Sequence, residues 1–105
     1  MANYLLVYHG GGAPATEEEG AQVMAAWVAW FGSLGESVVD AGNPVGQAAT
    51  IAADGATSAG GGANPVTGYS VITADSLDLA TAAAKGCPHL ASGGSVEVCE
   101  TFAVM

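Results

Sequence analysis

Apolar residues in this chain come in short runs separated by glycine and proline, and the spacing within each run assigns it to a strand or a helix. Asn3-Tyr4-Leu5-Leu6-Val7-Tyr8-His9 is an aliphatic and aromatic run halted by Gly10-Gly11-Gly12, which predicts a buried strand and then a loop. Thr16-Glu17-Glu18-Glu19 is a capping-box sequence: the Thr16 hydroxyl can accept from the Glu19 amide, and three carboxylates favour the positive end of a helix dipole. Behind it Val23, Trp27, Trp30, Phe31 and Leu34 lie at i, i+4, i+7, i+8 and i+11, one stripe of helical period, with Gly35 placed to end it.

The second half repeats this logic. Ser37 to Gly42 reads as a strand ending at the turn formers Asn43 and Pro44, and Ala48 to Ala53 as an extended run closed by Asp54-Gly55. Ala56 to Thr67 is rich in small residues and reads as a flexible hairpin connection. Gly68 to Ala74 predicts another strand. Asp75-Ser76 caps an alanine-rich helix that stops at Lys85-Gly86, and Pro88 prevents its continuation. Ser95 to Val104 alternates, with Val96, Val98, Glu100 and Phe102 on one face and Glu97, Cys99 and Thr101 on the other.

The order is therefore β-α-β, linker, β-α-β. Joined in one sheet, two such units give an α+β fold, the ferredoxin-like βαββαβ subunit, with an antiparallel sheet and both helices on one face. The other face then has no cover, and pairing two copies sheet to sheet, as a dimeric α+β barrel, would bury it. This topology also brings three segments to one end of the sheet: His9 with its glycines, Asp40 to Pro44, and the loop from Gly86 to Gly94.

Composition sharpens that expectation. The 105 residues fit one domain, residues 1–105. Half are hydrophobic, but many of these are alanine, and 16 are glycine. The core must rest on few large side chains: Leu5, Leu6, Trp27, Trp30, Phe31, Leu34, Tyr69, Ile72, Leu77 and Phe102. A core this thin favours a homodimer. Ten acidic residues against one basic residue, Lys85, give a formal net charge of −9. Nucleic acids and anionic membranes are recognised by cations that replace counterions, so neither is an expected partner. The opening residues, MANYLLVYHGGG, carry no cationic leader and no membrane-length apolar run, and the two cysteines read as reduced thiols of a cytoplasmic protein.

The stretches YLLVYHG, MAAWVAWFGSLGESVVDAGNP (Met24–Pro44), NPVTGYSVITADSLDLA (Asn64–Ala80) and KGCPHLASGGSVEV (Lys85–Val98) together resemble the YCII-related family, in particular its DGPF-domain subgroup. The resemblance covers nearly the whole chain and implies a dimeric α+β barrel. It also implies a small enzyme with a His–Asp pair, whose His lies on the first helix in many members. Here no His falls between Thr16 and Gly35, and Trp27 stands near that place. Relatives of this subgroup are often encoded beside extracytoplasmic-function sigma factors, which implies a sigma factor link as a regulatory partner.

The candidate chemistry is sparse. His9 ends a strand beside a glycine loop, where an imidazole can exchange protons with a ligand; its plainer role is a strand-end His bonded to a carbonyl. Asp40 can support that imidazole electrostatically, or simply hold its own turn, and one intervening strand separates it from His9. Trp27, Asn43, Tyr69 and His89 are the expected ligand-binding residues, with Trp27 and Tyr69 serving equally as core. Cys87, His89 and Cys99 have no spacing that structural zinc sites repeat, nor the C-x-x-C of a redox couple, so no metal is expected and the cysteines read as small apolar fillers. The glycine runs lack a phosphate-loop pattern, and no cofactor is implied. The expected function is proton transfer or hydrolysis on a small, neutral or weakly cationic, partly apolar molecule, with His9 and Asp40 as catalytic residues. The alternative is a non-catalytic ligand-sensing or interaction protein.

Overall fold

A computed structural model describes residues 1–104. Its elements are β1 (Ala2–His9), α1 (Glu17–Leu34), β2 (Val38–Asp40), β3 (Ala49–Ile51), β4 (Thr57–Ala59), β5 (Val66–Ala74), α2 (Leu77–Ala84) and β6 (Ser95–Glu100). Four strands form one sheet in the order β2-β5-β1-β6, with every neighbouring pair antiparallel. The protein is thus α+β, an antiparallel sheet with two helices.

Local chemistry explains where the helices begin. Thr16 Oγ1 accepts from the Glu19 amide at 3.1 Å and the Glu19 carboxylate accepts from the Ala15 amide at 2.9 Å, so two otherwise unpaired donors are satisfied at the head of α1. Gly35, at φ 56°, ends the helix in a conformation that a side chain would disfavour. Ser76 caps α2 by accepting from Leu79 N at 3.1 Å. Trp30 Nε1 then donates to the Ala83 carbonyl at 3.1 Å and ties the two helices together.

Strand alternation decides the core. Tyr4, Leu6 and Tyr8 of β1 and Ile72 of β5 point to the side covered by Trp30 of α1 and Ala80 and Ala84 of α2, all in one buried cluster. Leu5 and Val7 point the other way. The expected core is therefore corrected in two respects. Leu5 and Tyr69 lie on the face that no helix covers, and the tyrosines of β1 take buried places instead. Leu77, in the first turn of α2, is 48% exposed, and Phe102, beyond the end of β6, is 81% exposed.

A hydroxyl chain joins three strands. Tyr8 O–H donates to Ser70 Oγ at 2.7 Å, and Ser70 O–H donates to the Ala41 carbonyl at 2.7 Å, just past β2. Ser70 is fully buried, so both bonds offset a desolvation cost. Gly42, at φ 76°, lies so close to β5 that a Cβ would overlap the Tyr69 carbonyl oxygen, and only glycine fits.

The linker differs from a flexible connection. Ala49–Ile51 pairs antiparallel with Thr57–Ala59 as a separate two-stranded sheet. Its turn is held by Asp54 Oδ1, which accepts from Ala56 N at 2.9 Å, with Gly55 at φ 90°. Bonds from Tyr69 N to Asn43 O and from Val45 N to Thr67 O continue the β2–β5 pairing outward, so the two segments leave the sheet as one ribbon. The molecule measures 43 × 43 × 18 Å, and its 15.1 Å radius of gyration exceeds the about 13 Å expected of a compact chain this long. The thickness is that of two layers.

Candidate functional site

The sheet divides the predicted site residues. Directly opposed residues in neighbouring strands share a face. Leu5 pairs with Val71 and Cys99, and Val7 with Tyr69 and Glu97, so all six lie on the uncovered face, together with His9 two positions beyond Val7. Trp27 and His89 lie behind the sheet, where the Tyr8 ring meets Trp27 edge-on at 5.2 Å between centroids and His89 at 5.5 Å. Asp40 and Asn43 lie at the edge, with β5 between them and β1. The six residues do not surround one cleft.

His9 is the centre of the open face's polar chemistry. Its Nδ1 lies 3.0 Å from the Asn64 carbonyl oxygen and its Nε2 3.0 Å from Glu97 Oε1. Both partners are acceptors, so the two hydrogen bonds form together only when both ring nitrogens carry protons. The His9 side chain is only 14% exposed, whereas that of Glu97 is 61% exposed and free to swing from the edge strand. Cys99, two residues on, lies with its Sγ 3.6 Å from Glu97 Oε2. Burial raises the Cys99 thiol above its ordinary value, and the neighbouring carboxylate adds to the shift, so the thiol stays protonated.

Asp40 takes the plainer of its two roles. Its Oδ1 accepts from Gly42 N at 2.8 Å and stabilises the turn, while the carboxylate beside His9 belongs to Glu97. Strand alternation carried the signal for Glu97: on a strand next to β1, it stands on the face opposite Val96 and Val98. Asn64 could not be anticipated, because it contributes a backbone carbonyl from the linker.

His89 acts as a structural wedge. Its Nε2 donates to the His9 carbonyl at 2.9 Å, and a Cβ at Gly94 would overlap the ring, while one at Gly11 would come within 2.7 Å of it. It fixes the end of β1 from behind, so that the His9 side chain is presented on the other face. Cys87 is buried in the core and burial raises its thiol, as befits an inert filler. Among the described residues no three His, Cys, Asp and Glu side chains converge as a metal site requires, and no helix is long and apolar enough to cross a membrane.

An open groove of about 520 Å³ lies between α1 and the segment after Pro88, lined by residues that include Pro14, Glu19, Gln22 and Ser92. It contains none of the predicted site residues. Comparison with protein-family models and with curated proteins finds no match for the chain.

Proposed function

We propose that the chain is a ferredoxin-like subunit of a homodimeric α+β barrel of the YCII-related, DGPF-domain type, and that its uncovered sheet face forms a small-molecule site with His9 as acid/base. The family assignment rests on the four sequence stretches given above, and the sheet order β2-β5-β1-β6 supports the subunit architecture. The half-buried apolar patch of Leu5, Val7, Tyr69 and Val71 supports pairing of two such faces, because apolar surface of this kind marks an interface or a ligand groove.

The observation that carries the functional reading is the His9–Glu97 contact on that face. Glu97 replaces Asp40 as the carboxylate partner of the imidazole. A ligand entering between the paired faces takes the place of the exposed Glu97 side chain at Nε2, accepts or returns a proton there, and rests its apolar part on Val7 and Tyr69. Asn64 holds Nδ1 and thus the ring orientation. A chain of net charge −9 favours neutral or weakly cationic ligands.

The same contact supports a second reading. Because both ring nitrogens are engaged by acceptors, His9 also fits a fixed element of a ligand-sensing module, one linked to sigma factor regulation. Screening small neutral and amine-bearing molecules by NMR against the wild type and His9→Gln separates the two. An enzyme binds ligands that shift the His9 and Tyr69 signals and loses turnover in the variant, whereas a sensor binds without turnover. Ligands that leave both signals unmoved overturn the site.

A further inference from the structure

We infer that the β3–β4 ribbon is a dimerisation arm that grips a second copy of this chain. The inference rests on the face-to-face dimer proposed above and concerns which segment supplies the remainder of its contact. All six strand residues of the ribbon are exposed, and Ile51 is 70% exposed. An isolated two-stranded hairpin is at best marginally stable in water, so a well-formed one gains by lying on another surface. Its own subunit does not provide that surface.

Area points to the second copy. The four strands of the main sheet hold 3, 9, 8 and 6 residues. At about 3.3 Å rise and 4.8 Å spacing they present roughly 400 Å² of flat face. A stable interface takes about 800 Å² of accessible surface from each partner, so a footprint of this size lies near the lower limit and a further segment enlarges the contact. The ribbon continues the β2–β5 pairing beyond the sheet, and its two strands are exposed and pack chiefly on each other.

Charge favours the same occupant. Two copies each of net charge −9 repel, yet from Ala41 to Ala74 the only charged side chain is Asp54, at the ribbon's turn. The ribbon can therefore approach an acidic surface with little electrostatic cost, and its base is joined to the open face through the Asn64 carbonyl that His9 contacts.

The test is sedimentation of the full chain and of Ile51→Glu, with amide exchange of residues 49–59 followed against protein concentration. Ile51 is exposed in the subunit, so the substitution leaves the fold intact. The inference expects the dimer dissociation constant to rise at least about tenfold, as for burial of a charge at an interface contact, and ribbon exchange to slow as dimer forms. A wild-type dimer whose dissociation constant is unchanged by Ile51→Glu overturns the arm and leaves the paired sheet faces standing. A wild type that stays monomeric at every concentration overturns both.

Discussion

The two faces of the sheet are made by the same strands and differ in everything that covers them. On the helix side, Tyr4, Leu6, Tyr8 and Ile72 meet the small residues Ala80, Ala84 and Cys87 and the indole of Trp30, and the layer is closed. On the other side Leu5, Val7, Tyr69 and Val71 are also apolar but only partly buried, and the polar residues among them, His9 and Cys99, each contact Glu97. Alternation thus separates a face closed by the chain's own helices from one whose apolar residues stay partly exposed.

The comparison is broken most directly by trimming one residue from each face. Leu6→Ala should cost about 3 kcal/mol, since Leu6 is fully buried and leaves a cavity. In denaturant unfolding that loss should be the same at every protein concentration. Val7→Ala, its neighbour, should show a deficit that varies with concentration if, as proposed, its uncovered face pairs with a second copy. Equal, concentration-independent losses would remove the distinction between the faces.

Alkaline titration sharpens the covered side. Burial pushes the Tyr8 phenol from 10.0 up to about 12, with the hydrogen bond to Ser70 opposing part of the shift. The folded state then holds this proton more tightly than the unfolded state, so stability present below about pH 10 is lost as pH rises towards about 12. The loss should be roughly 2 kcal/mol and should vanish in Tyr8→Phe, as thermal unfolding across this range would reveal. The smallest expected effect is that of Ser70→Ala, about 1.5 kcal/mol, from leaving the buried Tyr8 hydroxyl without its acceptor. Amide exchange in β2 should accelerate in this variant, and an unchanged rate would mean that the hydroxyl chain does not hold the edge strand.

Much of the covered side was legible in the sequence because it rests on local rules. The Thr16–Glu19 cap, the Val23–Leu34 stripe, the Gly35 stop and the Ser76 cap are all present as spacing predicts. The core was less so. Leu5 and Leu6 look alike in sequence and alternation sends them to opposite faces, but only the packing of the helices decides which of the two is covered. Tyr8 shares the face of Leu6 by alternation, but the acceptor that satisfies its buried hydroxyl, Ser70, lies 62 residues away and was not legible. For the candidate site, His9 was found by its place at a strand end. Its partners were missed because one is a backbone carbonyl from the linker and the other depends on the register of β6 against β1, which the sequence pattern does not specify. Of the ribbon, the run Ala48 to Ala53 and the Asp54-Gly55 turn were legible, whereas its second strand, Thr57–Ala59, lies in a stretch of alanine, serine and glycine with little strand propensity and is ordered by pairing across that turn.

The link from Tyr8 through Ser70 to Ala41 also has a mechanical meaning. It is fastened where the ribbon departs, beside the tight Gly42 crossing, so a pull on the ribbon tip is carried in shear by three strands and not by peeling β2 away one bond at a time. A chain pulled by its ribbon should therefore yield in that slender hairpin before its sheet tears.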